Sequence, residues 1–247
     1  MPDDSAIGNA RFPTTHRSAV RGAASEDPVT RERAWGALVR AYWKPAYKHV
    51  RIRWKASRED AEDATQGFFA RAMERDFLAA FDPERGRFRT FFRVCLDRFV
   101  SNEKKSAGRE KRGGGAAPLP LDFAEAEREI ALAGAAAWAS PEEIFDREWR
   151  RSLFALAIGE FAAECEAAGK AGHFALFAAY DLAEPDARPT YEDLARERGL
   201  PATTVTNHLA YARRELRRIL LAKLEEITET EDELHYEAKL LLGADAR

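Results

Sequence analysis

"TYEDLARERGLPATTVTNHLAYARRELRRIL", Thr190 to Leu220, holds two helix-forming runs separated by a glycine. Thr190 stands at an N-cap position, and Asp193 three residues on makes a weak capping box. Leu194 and Ala195 face inward from the first run. Gly199 supplies the positive φ that ends it, and Pro201 restarts the chain. In the second run Val205, Leu209, Ala212, Leu216 and Ile219 step by 4, 3, 4 and 3 residues, a single apolar stripe at helical spacing. The opposite face carries Thr203, Thr206, Asn207, Tyr211, Arg214 and Arg218. This is the outline of a helix-turn-helix, and equally of an ordinary helical hairpin. As a helix-turn-helix it would set the start of its second helix in a DNA major groove. Asn207 suits adenine, and threonine methyls suit the thymine methyl. The arginines further along suit phosphates, which fix register.

The same helical spacing governs the rest of the chain, so the fold is expected to be all-α. Trp35, Leu38, Val39, Tyr42, Trp43, Tyr47 and Val50 form one broad face, with Pro45 expected to kink or divide that helix. Ser57 is an N-cap candidate for a second helix, with Glu59, Asp60, Glu62 and Asp63 at its dipole-positive end. Its inward side is Ala61, Ala64, Phe68, Phe69, Ala72 and Met73. "FDPERGRF" is a turn, followed by a long helix from about Phe88 to Arg109. "GGGAAPLPLDF" ends that helix and marks a boundary. Ser140 and Pro141 begin another helix as N-cap and first-turn proline. The expected organisation is an arm over 1–27, a helical bundle over 28–112, a flexible acidic linker over 113–140, a helix-turn-helix domain over 141–223 and an acidic helical tail over 224–247.

Net charge over the 247 residues is −3, so total charge does not point to nucleic acid. Its distribution does. Lys44–Arg112 holds 18 Lys/Arg against 11 Asp/Glu, and Thr190–Lys223 holds 7 against 4. Gly113–Trp149 and Leu224–Arg247 each hold 2 against 8. Two basic blocks alternate with two acidic ones, so a near-neutral sum hides two candidate polyanion surfaces. The acidic tail, with Ile227, Leu234, Ala238 and Leu240–Leu242 apolar, is expected either to cover a basic DNA face or to dock elsewhere as a helix.

Four blocks carry a resemblance. They are "AYWKPAYKHVR" at Ala41–Arg51, "DAEDATQGFFAR" at Asp60–Arg71, "DPERGRFRTFFRVCLDRFVSNEKKSAGREKRGGG" at Asp82–Gly115, and the opening stretch. With "FPTT" at Phe12–Thr15, the chain resembles, almost end to end, a bacterial RNA polymerase sigma factor of the extracytoplasmic-function type. The resemblance implies that Asp60, Asp63, Gln66 and Phe69 dock on core RNA polymerase. It places Arg87, Phe88, Arg89 and Thr90 at a −10 promoter element read as single-stranded DNA, where aromatic stacking and cationic contacts suit unstacked bases. Asn102, Lys104, Lys105, Arg109, Lys111 and Arg112 would follow the DNA backbone. Thr203, Thr204, Thr206, Asn207, His208, Tyr211, Arg214 and Arg218 would read a −35 element. An anti-sigma factor or other regulator is a further expected partner. Two departures stand out: Gly67 where the family pattern often has Glu, and Thr206, Asn207, His208 where many relatives have Lys, Ser, Arg.

Other classes find little support. There is no Ser/His/Asp set, phosphate loop or paired-carboxylate constellation, so no enzyme activity is expected. His16, His49, His173, His208 and His235 are scattered, and Cys95 and Cys165 are too few for zinc, so neither metal nor cofactor is expected. No apolar run of about 18 residues is present, so no membrane insertion is expected. The N-terminus lacks the apolar segment of a signal peptide, and a cytoplasmic location is expected. The rival readings are a helix-turn-helix regulator that does not bind polymerase and a helical adaptor that binds only protein.

Overall fold

Side-chain caps begin several of the helices, those that follow Asp27, Ser57, Ser140, Thr190 and Thr230 among them. The structure, a computed structural model, describes residues 18–74, 77–106, 119–133 and 140–243. Its helices are α1 (Ala19–Gly22), α2 (Pro28–Arg53), α3 (Arg58–Glu74), α4 (Phe88–Ser106), α5 (Phe123–Ala133), α6 (Pro141–Ala167), α7 (Ala171–Asp181), α8 (Tyr191–Arg198), α9 (Ala202–Ile227) and α10 (Glu231–Leu242), with no strand among the described residues. Asp27, Ser140 and Thr230 each accept a first-turn amide, from Thr30, Glu143 and Glu233. Ser57 does the same for Asp60 at 3.1 Å ahead of α3. Each such cap is worth about 1 kcal/mol.

Pro45 does not divide α2. It is buried on the same side as Ala41, Tyr42 and Ala46, and one helix runs through it to Arg53. Packing of that face keeps the helix continuous through the proline, where an isolated helix would be prone to break.

Tyr42 lies at the centre of the core. Its ring stacks on Phe92 of α4 at 4.5 Å, meets Phe88 edge-on at 5.7 Å, and lies 6.4 and 6.3 Å from Phe145 and Trp149 of α6. All five side chains are essentially inaccessible to water. Each contributes about 2–3 kcal/mol of apolar burial. The core is therefore continuous across the two halves of the chain: α6 lies along α2, and Ile219, Leu220, Leu224 and Ile227 of α9 join the same cluster. A smaller cluster of Leu176, Leu194, Val205 and Leu209 knits α7, α8 and the start of α9 into a separate corner.

The tract expected to run as a flexible linker contains α5. Phe123, Ala126 and Ile130 are spaced for one helical face, and Phe123 inserts between Trp43 and Tyr47 of α2 at 5.7 and 4.9 Å. Asp122 caps the helix by accepting from Glu125 N. The acidic tail is also a helix, α10, lying against α9 and over the start of α4.

Candidate nucleic-acid interface

The turn before α4 aims three groups toward α10. Asp82 Oδ1 accepts from Glu84 N at 3.0 Å, and Gly86 takes φ 156°, a conformation that favours glycine. α4 then starts at Phe88, whose amide has no carbonyl within the helix to meet. Glu233 of α10 accepts it at 2.6 Å. Arg89 is buried between helices. Its Nε donates to Glu237 Oε1 at 3.2 Å, its Nη1 pairs with Asp146, and its guanidinium lies 4.7 Å from the centre of the Trp149 ring. The Arg87 guanidinium sits 3.3 Å over the centre of the Tyr236 ring. Thr90 is exposed.

These positions sort the sequence expectations. Phe88 is a core residue, fully buried against Tyr42 and Phe81; what it turns toward α10 is its amide, not its ring. Arg87 and Arg89 are adjacent to it, and all three contact the acidic tail. Burial pushes the Glu233 and Glu237 carboxyls above the ordinary range. Hydrogen bonds from the Glu229 and Phe88 amides only partly offset this for Glu233, and Arg89 only partly for Glu237. Glu237 Oε2 lies 3.1 Å from Arg89 Nη2 without an aligned hydrogen bond.

The other residues of α4 expected along the DNA backbone, Asn102, Lys104 and Lys105, lie toward its far end, about 20–25 Å away. Lys104 and Lys105 are both exposed; Lys104 donates to Trp54 O at 2.9 Å and lies over the Trp54 ring. Asn102 edges an apolar groove of about 310 Å³ between α3 and α4, walled by Phe68, Phe77 and Phe99. Arg109, Lys111 and Arg112 lie outside the described residues.

On α3 the four expected docking residues separate. Asp60 and Asp63 are exposed. Gln66 is engaged at both ends of its amide: Nε2 donates to Leu119 O at 2.9 Å and Oε1 accepts from Leu119 N at 2.8 Å. Phe69 is fully buried in the core and offers no surface. Gly67 has a packing reason. A Cβ there would stand 3.3 Å from Phe99 Cζ, so the absent side chain lets α4 approach α3.

In the corner formed by α7, α8 and the start of α9, both halves of the capping box form between Thr190 and Asp193, and Gly199 adopts φ 62°. Thr203, Thr206 and Asn207 are exposed on the first turns of α9, with Thr204 half-buried. The Thr206 hydroxyl donates to Ala202 O at 3.1 Å, which leaves its methyl free to face outward. His208 and Tyr211 turn toward α7 instead. The His208 ring stacks on His173 at 3.8 Å, and the Tyr211 hydroxyl accepts from Lys170 at 3.1 Å. Burial, with His208 and Lys170 adding repulsion, holds the His173 imidazole below its usual range. Further along α9, Arg213 forks onto Asp181, and Arg218 pairs with Glu164 and Glu215. Arg214 is exposed.

Sequence reasoning missed Glu233, Tyr236 and Glu237 as partners of Arg87 and Arg89. Their signal was present: two acids one turn apart with an aromatic between them, beside the apolar Leu234 and Ala238. It also missed the His173–His208 stack, because these histidines meet only once α7 lies against α9. Among the described residues no cluster of three metal-ligating side chains occurs and no helix is long and apolar enough to cross a membrane. Cys95 and Cys165 are free thiols, both pushed up by burial. Comparison with protein-family models, with curated proteins and with solved structures finds no match to this chain.

Proposed function

We propose that this chain is a promoter-specificity subunit of the sigma type, working in the cytoplasm with core RNA polymerase. One observation carries the reading: the helix-turn-helix corner leaves a neutral tip of Thr203, Thr206 and Asn207 exposed, while the less suitable His208 and Tyr211 are used to hold α7. Such a tip can read base edges in a major groove. Arg214 follows about two turns after Asn207 to meet phosphate. The turn and N-terminus of α4 would contact the −10 element through Arg87, the Phe88 amide, Arg89 and Thr90. Lys105 would continue along the backbone. α3 would offer Asp60 and Asp63 to core polymerase.

The action is recruitment rather than catalysis. Docking on core raises the local concentration of both DNA-reading ends at one promoter, and their binding free energies add when spacing permits. Counterion release makes the DNA contribution fall with salt.

The buried Phe69 and the Gln66–Leu119 contact favour a second reading, a helix-turn-helix regulator that acts without core polymerase. Run-off transcription with purified core polymerase on a genomic fragment library separates the two. Promoter-specific transcripts are expected; sequence-specific DNA binding with no core binding would establish the second reading. On the promoters found, Asn207→Ala is expected to cost about 1–3 kcal/mol of −35 discrimination and to leave core binding unchanged.

A further inference from the structure

The contacts between α10 and the start of α4 have the chemistry of a bound nucleic acid. Glu233 and Glu237 are four residues apart and so present two anions on one helix face. Between them Tyr236 offers an aromatic ring. One anion takes the Phe88 amide, the other takes Arg89, and the ring takes Arg87. A phosphate, a second phosphate and a base would make the same three contacts. We propose that α10 is an intramolecular mimic of single-stranded DNA that occupies this end of α4 and must leave before DNA binds there. The inference rests on the promoter-binding reading and adds its regulation.

Two features make α10 displaceable. It is joined to α9 only through Thr228–Thr230 and is anchored by Ala238, with Leu234, Leu241 and Leu242 partly buried; Leu240 is exposed, and Tyr236 keeps part of its surface in water beside Arg87. The rings around Tyr42 come from α2, α4 and α6, not from α10. Its anions are also incompletely neutralised. Arg89 divides itself between Glu237 and Asp146, and the Arg87 charge faces a ring rather than a carboxylate. Glu237 Oε2 has no aligned hydrogen bond, and a buried anion short of partners is costly, which weakens the docked state.

The test uses the full chain and a fluorescein-labelled oligothymidylate, with anisotropy as the readout. Glu237→Lys places a cation against Arg89. Asp232→Lys makes the same charge change at an exposed position of α10 and serves as control. Glu237→Lys is expected to bind about tenfold more tightly than Asp232→Lys. In wild-type protein, oligothymidylate should speed amide exchange across 234–242. Equal affinity of the two variants together with unchanged exchange overturns the inference and leaves the promoter reading intact. If no variant binds DNA and core polymerase is not retained either, the promoter reading falls and the inference with it. Should Glu237→Lys lose helix content, the wild-type exchange decides alone: unchanged exchange on adding DNA overturns the mimic.

Discussion

α5 and α10 are both short acidic helices laid on cationic faces of α2 and α4, and their carboxylates respond to those faces in opposite directions. On α5, Glu125, Glu127 and Glu129 meet three cations of α2. Lys44 reaches Glu125 at 3.1 Å and Glu129 at 2.9 Å, Lys48 reaches Glu129, and Arg51 grips both oxygens of Glu127 at 2.6 and 3.0 Å. Tyr47 donates to Glu127 at 2.7 Å. These carboxylates keep part of their surface in water. Arg51 pulls Glu127 below the ordinary range, and Lys48 and Lys44 outweigh burial to do the same for Glu129. On α10, Glu233 and Glu237 are buried; Glu233 is met by two backbone amides and Glu237 by Arg89, which it shares with Asp146, and both carboxyls are pushed above the ordinary range by burial. Sign of charge is the same in both helices. What separates them is the number of cations per carboxylate and access to water, so α5 is a fastening and α10 a poised contact.

The largest expected effect tests the depth of the α5 face. Lys48 is fully buried beneath it and also pairs with the buried Glu148 of α6. Glu148→Ala leaves that ammonium with only the half-exposed Glu129 and should cost about 3 kcal/mol, read from the urea midpoint. Replacing both partners by apolar residues, Lys48→Met with Glu148→Leu, should cost about 1 kcal/mol or less. If the single substitution is as mild as the pair, charge balance does not hold this face, and the contrast with α10 loses its physical basis.

A smaller and more local effect is expected from Glu127→Gln. It removes the doubly bonded Arg51 pair and weakens the Tyr47 contact, at about 1.5 kcal/mol. Amides across 123–133 should exchange faster while those across 231–242 keep their rates. Equal acceleration in both helices would mean that the two acidic segments are one cooperative unit rather than two with different roles.

Much of this arrangement was legible in the chain itself, and the limits are physical. Helical periodicity and the caps at Ser57, Ser140 and Thr190 locate α3, α6 and α8, because both signals are local. α5 was masked by its acidity: composition said linker, while Phe123, Ala126 and Ile130 carried a helical stripe. Phe69 and Phe88 fall within motif positions whose neighbours are exposed, and a motif does not say which side of a helix its partner covers. The juxtapositions that matter most, α6 on α2 and α10 on α4, join segments far apart in the chain. Their pairing rests on shape and charge complementarity that no local pattern encodes.

The smallest expected effect is the most discriminating, because its sign differs between the two helices. For Glu127 and Glu129 the folded-state pKa lies below the unfolded one, so their stabilisation is present above the ordinary carboxylate range and is lost as pH falls through the lowered values. For Glu233 and Glu237 the folded-state pKa lies above the unfolded one. Their contribution is full below about 4.5 and declines as pH rises through the raised values. The groups facing this pair are Arg87, Arg89, Glu229 and Tyr42, with Asp146 across Arg89. Mild acidification from neutrality should therefore tighten α10 before it loosens α5. After correction for intrinsic exchange, protection across 234–242 should rise relative to 123–133, by less than either substitution produces. Glu237→Gln imitates the protonated carboxyl, so at neutral pH it should show the tighter α10 and lose part of the pH dependence. Protection that falls in both helices together on acidification would place the α10 carboxylates in the same charge-balanced class as those of α5.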